Sequence, residues 1–218
     1  MHDPELQPYL KIPASGDNAR IGLFGGSFNP PHEGHLNLCE LALRRLELDQ
    51  IWWMVTPGNP LKDTSDLPGL LERIKLCEAL VSDPRIRITG FEAKYRVRYT
   101  ADTVSLIMNR CPRQKFVWLM GADNLADFHQ WQHWKRIAKM LPFAVIDRPG
   151  STLSYRSAPA ALALSRFRVD EYDGRLLAGR KPPAWTFLHG PRNPLSSTML
   201  RNLKRGQIPM NNSFPELS

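Results

Sequence analysis

The chain has 218 residues, 42% of them hydrophobic, and a formal net charge of +8. That apolar content suffices for one sizeable core, and no apolar run approaches the roughly 20 residues of a membrane-spanning helix. The basic residues are dispersed, with no run longer than two and no aromatic-basic RNA-binding motif, so small anions rather than nucleic acid or a membrane surface are the expected partners.

Residues 1–18 carry Pro4, Pro8, Pro13 and Gly16 with little periodicity, and read as a loose extension ahead of a single domain over 19–218. The acidic start, Met1 to Glu5, does not have the pattern of a signal peptide. Cys39, Cys77 and Cys111 are scattered and odd in number. They read as reduced thiols of a cytoplasmic protein, not as a disulfide frame or a zinc site.

From residue 19 onward strands and helices alternate. Strands are predicted at 20–25, 50–56, 85–89, 115–120, 142–147 and 185–189. Helices are predicted at 33–47, 68–81, 101–111, 122–128, 131–140, 156–165 and 196–205. Ile51 to Val55 and Phe116 to Met120 are continuous apolar runs, the pattern of parallel strands covered on both faces. The fold class is therefore α/β, a doubly wound, Rossmann-like and mostly parallel sheet with helices on both faces. Ligands of such sheets sit beyond the carboxyl ends of the strands. Thr100 has the look of a helix N-cap, with Asp102 in the first turn. Lys94 to Arg98 reads as a basic edge strand or as a reach towards substrate phosphate. Stretches 57–67, 148–155 and 173–184 read as long loops, which in compact α/β proteins are usually lids or binding loops.

The first strand runs into Phe24-Gly25-Gly26-Ser27-Phe28-Asn29-Pro30-Pro31-His32-Glu33-Gly34-His35-Leu36. Strand, glycine-rich turn and helix form the arrangement in which backbone N–H groups and a helix N-terminus receive phosphate. His32 and His35 lie three apart, on one face of a first helical turn. This is not a metalloprotease helix, which needs histidines at i and i+4, nor a Walker loop, nor a Gly-x-Gly-x-x-Gly fingerprint. Near the far end, Leu195-Ser196-Ser197-Thr198-Met199-Leu200-Arg201 opens another helix with hydroxyls and an arginine one turn on. Alone, that run would be an ordinary cap.

Together the two runs resemble the His-x-x-His and Ser-Ser-Thr-x-Leu-Arg motifs of the nucleotidyltransferase superfamily, and the longer first motif resembles the bacterial nicotinate-nucleotide adenylyltransferase family. Tyr99-Thr100-Ala101-Asp102-Thr103 and Gly121-Ala122-Asp123, followed by Trp131 and Trp134, resemble the same family's substrate segments. The resemblance implies adenylyl transfer from ATP to nicotinate mononucleotide, with release of pyrophosphate, in NAD biosynthesis. It implies catalytic roles for His32, His35 and Arg201. ATP and its phosphates would meet Gly25, Gly26, Ser27, Phe28, Lys62, Gly121, Asp123, Ser196, Ser197 and Thr198. The mononucleotide would meet Ser27, Phe28, Thr100 and Trp131, with the Trp131 ring stacked on the pyridine. Lys62 follows Leu61 where the family often has a histidine, and a solvated loop lysine is an equal reading. Trp134 reads as a packing residue. Magnesium is expected to arrive with ATP, and no dedicated protein metal site is expected. Two alternatives stay open at this point: phosphopantetheine or another small-molecule adenylyltransferase, and a nucleotide-binding regulatory module without turnover.

Overall fold

Six short apolar segments pair side by side into one all-parallel sheet in the order β3-β2-β1-β4-β5-β6. They are β1 (Arg20–Gly26), β2 (Gln50–Val55), β3 (Ile86–Thr89), β4 (Lys115–Gly121), β5 (Phe143–Ile146) and β6 (Trp185–Leu188). Each lies within about a residue or two of the predicted strand. The computed structural model describes residues 3–58, 67–147 and 157–190. Parallel strands need crossovers, and here these are mostly helical. The helices are α1 (Glu33–Arg45), α2 (Leu70–Leu80), α3 (Phe91–Tyr95), α4 (Thr100–Arg110), α5 (Ala122–Asp127), α6 (Trp134–Met140) and α7 (Pro159–Ala163).

The continuous apolar runs follow from burial on both faces. Ile21, Leu23, Trp52, Phe116 and Trp118 point into one core layer, with Val104 and Ile107 of α4. Phe24, Ile51, Trp53, Val117 and Leu119 point into the other, with Leu38 and Ala42 of α1 and Ile74 of α2. Adjacent tryptophans in β2 thus serve opposite layers, because strand side chains alternate. Strand order reverses between β1 and β4, which lie side by side with Arg20 to Phe24 abreast of Lys115 to Leu119. The carboxyl ends of those two strands are where a doubly wound sheet opens its binding crevice.

Several expectations are corrected. Residues 91–95 form helix α3, not an edge strand; the helix ends where Arg96 takes a left-handed conformation. Arg98 is exposed. Tyr99, not Thr100, is the cap of α4, with no side-chain hydrogen bond, and Thr100 is the first helical residue. The expected helix over 131–140 starts only at Trp134, because His133 turns left-handed just before it. Within the expected loop 173–184, a 3-10 helix spans Glu171–Gly179. The expected helix 196–205 and the loops 57–67 and 148–155 fall wholly or mostly outside the described residues.

The N-terminal stretch, read above as loose, is tied to the sheet edge. Leu6 and Leu10 are buried beside a 3-10 turn over Gln7–Leu10. The Thr89 hydroxyl reaches the carbonyls of Tyr9 (3.0 Å) and Lys11 (2.9 Å) and accepts from the Phe91 N–H (3.2 Å). The Tyr9 hydroxyl donates to Glu78 at 2.7 Å. Prolines at 4, 8 and 13 hid this, since they interrupt the run before the single Leu6–Leu10 spacing can repeat as a helical or strand period. Thr89→Val keeps the shape but removes the hydroxyl, so it should lower unfolding free energy by about 1–3 kcal/mol in urea melts. It should also speed proteolysis within residues 3–12; an unchanged midpoint would mean that the tie is dispensable.

Candidate active site

Gly25 and Gly26 are the last two residues of β1, paired with Met54 and Val55 of β2. The Gly26 carbonyl accepts from the Thr56 N–H at 2.9 Å. The glycine pair is thus part of the ladder, and the first amides beyond it belong to Ser27 and Phe28. The glycines answer to space. A side chain at Gly26 would meet the Phe28 ring at 3.0 Å, and one at Gly25 would meet Trp118 at 3.2 Å.

Phe28 has a left-handed backbone, φ 46°, which is unusual for a bulky residue and is held only where surroundings enforce it. Its ring is buried. It lies 4.7 Å from the Trp53 ring, 5.4 Å from Phe24 and 5.1 Å from His35. The side chain therefore forms the wall behind His35, and only the backbone of Phe28 is placed to meet a ligand.

His32 and His35 open α1 with reciprocal bonds. His32 is the cap residue; its Nδ1 accepts from the Gly34 N–H at 3.1 Å. The Nδ1 of His35 accepts from the His32 N–H at 3.2 Å. Both rings are nearly buried, and their centroids lie 3.8 Å apart. With both Nδ1 lone pairs taken by backbone donors, each neutral ring carries its proton on Nε2. The pair is thereby set up as two N–H donors at a helix N-terminus, a geometry suited to phosphate oxygens. Protonating Nδ1 of either ring would break its cap bond.

Gly121 ends β4 and caps α5, with Asp123 exposed in the first turn of that helix. The β1–β4 pairing ends at Phe24 and Leu119, two residues short of Gly26 and Gly121. Trp131 is half-buried in the turn after the 3-10 helix Phe128–Gln130. It meets Phe128 edge-on at 5.3 Å and Trp118 edge-on at 6.2 Å. Trp134 packs on Phe128 at 5.8 Å. Thr100 is half-buried at the start of α4, on the same side of the sheet as Trp131. Lys62, Ser196, Ser197, Thr198 and Arg201 lie outside the described residues.

Two buried charged side chains beside the site escaped the sequence reading. Arg73 of α2, 1% exposed, sends hydrogen bonds to the carbonyls of Ser27, Thr56 and Pro68. Its position among Leu70, Ile74 and Cys77, on the apolar stripe of a helix, was the available signal. Glu92 of α3, 7% exposed, accepts from the Thr103 hydroxyl of α4 at 2.6 Å and so braces the segment that carries Thr100. Burial pushes the Glu92 carboxyl up to about 7, against a smaller opposing effect of that hydrogen bond.

The sequence profile of the cytidylyltransferase-like family matches residues 23–203. A Brucella suis protein named probable nicotinate-nucleotide adenylyltransferase is 59% identical over 87% of this chain and 97% of its own length. An Agrobacterium fabrum protein of the same name is 59% identical over 84% of this chain and 97% of its own length. Among solved structures, Plasmodium falciparum nicotinic acid mononucleotide adenylyltransferase complexed with NaAD superposes with a TM-score of 0.64. It is 18% identical, over 84% of this chain and 83% of the other, and so attests the fold.

Because the Glu92 carboxyl stands near 7 when folded and near 4.5 when not, the folded state holds the proton more tightly. Its contribution to stability is full below about pH 4.5 and is lost as pH rises through about 7. Glu92→Gln should abolish that loss, of at most about 3 kcal/mol, making the variant the more stable protein at pH 8. Urea midpoints of both proteins at pH 5 and 8 measure this; parallel pH dependences would show that Glu92 titrates normally.

Proposed function

Since the chain belongs to the cytidylyltransferase-like family, we propose that it transfers the adenylyl group of ATP to nicotinate mononucleotide, giving nicotinate adenine dinucleotide and pyrophosphate, on the route to NAD. The observation that carries this reading is the pair of buried histidines at the start of α1, each held by its Nδ1 cap bond in a ring position that leaves the proton to Nε2. The choice of acceptor is supported by the relatives named for it, 59% identical over nearly their whole length.

The chemistry is an in-line attack of the mononucleotide's phosphate oxygen on the α-phosphorus of ATP. One P–O bond forms, the bond to the β-phosphate oxygen breaks, and pyrophosphate leaves. The nucleophile is already an anion near neutral pH, so no strong base is required. The obstacles are repulsion between anions and charge build-up on the phosphate oxygens, which positioned donors relieve. In this reading His32 and His35 donate to those oxygens. The Ser27 and Phe28 amides receive the acceptor phosphate, and Gly121 and Asp123 meet the adenosine. Trp131 stacks on the pyridine ring, edge-packed by Trp118 and Phe128 so that its plane is set before substrate arrives. Lys62, Ser196, Ser197, Thr198 and Arg201 would close on the polyphosphate. Magnesium belongs to the substrate: the ion neutralises the polyphosphate of ATP. The two histidines suit phosphate oxygens better than a cation, because their Nδ1 lone pairs are spent on the cap. Free thiols and ATP as substrate accord with a cytoplasmic enzyme.

Pyrophosphate release from ATP should be fastest with nicotinate mononucleotide when that acceptor, nicotinamide mononucleotide and phosphopantetheine are compared in parallel. Greater speed with phosphopantetheine would overturn the choice of acceptor. His35→Ala, which removes a donor, should lower kcat about 100- to 1,000-fold with the circular dichroism spectrum retained. Near-normal turnover would remove His35 from the chemistry. Trp131→Ala should raise KM for the mononucleotide well above any rise in KM for ATP, whereas equal rises would mark it as a packing residue.

A further inference from the structure

Arg73 is an expensive residue to bury. It is 1% exposed, and among the described residues its guanidinium has no carboxylate partner. Burial depresses its proton affinity, and Cys77 and Glu72 only partly offset this. A buried cation without a counter-ion costs stability unless its donors are used. Here four of its five N–H donors go to carbonyls: Nη1 reaches Ser27 O at 2.7 Å and Thr56 O at 2.8 Å, Nε reaches Pro68 O at 2.9 Å, and Nη2 reaches Pro57 O at 3.5 Å. These oxygens come from three places: the loop after β1, the end of β2 and the entry to α2.

The bond to Ser27 has a directional consequence. In a planar trans peptide the C=O and the following N–H point opposite ways. Holding the Ser27 oxygen towards Arg73 therefore turns the Phe28 N–H away from it. The cation also polarises that peptide and makes its N–H a stronger donor. Phe28 is gripped on its other flank as well, by the ring packing against Phe24, Trp53 and His35. Its left-handed φ of 46° is held between these two anchors.

We propose that Arg73 is a positioning residue for phosphate: from beneath the loop it aims and strengthens the Phe28 N–H that receives the acceptor's phosphate. This rests on the adenylyl-transfer reading above. The bland alternative is that Arg73 only ties three segments together. The two differ in what a folded variant does. Arg73→Gln loses charge and fork; Arg73→Lys keeps charge but loses the fork. With folding verified by circular dichroism, and rates read well below the melting temperature, Arg73→Gln should lower kcat/KM for the mononucleotide about 100-fold. KM for ATP should stay within about threefold, and Arg73→Lys should restore part of the loss. Wild-type kinetics in a folded Arg73→Gln would overturn the proposal, as would equal losses towards both substrates. Should the Gln variant not fold, the Lys variant decides by the same measures. Hydrogen exchange of residues 24–31, with and without inorganic phosphate, tests the proposal even if the acceptor were another compound. Phosphate should slow exchange in the wild type, less in Arg73→Lys and not in Arg73→Gln; equal slowing in all overturns it. Absence of wild-type turnover with nicotinate mononucleotide would count against the function alone.

Discussion

Two backbone hydrogen bonds at the start of α1 set the character of the whole site. They take the Nδ1 lone pairs of His32 and His35, and so decide where the remaining protons are. A helix N-terminus has N–H groups without intrahelical partners. Most proteins meet that need with Ser, Thr, Asp or Asn. Here imidazole rings meet it, and the same bonds that close the helix fix ring rotation and tautomer. Capping the helix and fixing the two rings are one structural act.

Around that cap the structure spends stability on position. The Phe28 ring backs His35 at the cost of a left-handed backbone. Arg73 and Glu92 place charged side chains in apolar surroundings on opposite sides of the sheet, one under the loop after β1 and the other under the first turn of α4. Their balances differ. Glu92 can shed its charge, since burial favours the protonated carboxyl. A guanidinium keeps its charge at any physiological pH, so Arg73 is satisfied only by carbonyls. Buried polar groups of this kind are high-stakes: fully bonded they specify one loop conformation, and half-bonded they would be worse than an apolar residue.

The sheet supplies the frame. All six strands run the same way, so the segments that follow β1 and β4 leave from the same edge. The reversal of strand order between them opens the crevice there. The two tryptophans of β2 show why the frame is rigid: one fills each core layer, and neither layer can shift without the other.

Much of this was legible in the order of residues. Continuous apolar runs bounded by turns marked β2 and β4 most clearly, because a doubly covered parallel strand has no polar face. The run from Gly25 to His35 located the candidate phosphate site, because strand, tight turn and helix are contiguous in sequence. What stayed hidden depends on contacts between distant segments. Leu6 and Leu10 become core only by meeting the edge at β3, and Trp131 leaves its helix because His133 turns left-handed. The buried partners of Arg73 and Glu92 were likewise decided only by tertiary structure. Local pattern encodes which face of an element is apolar; it does not encode which carbonyl, 46 residues away, a side chain on that face will find.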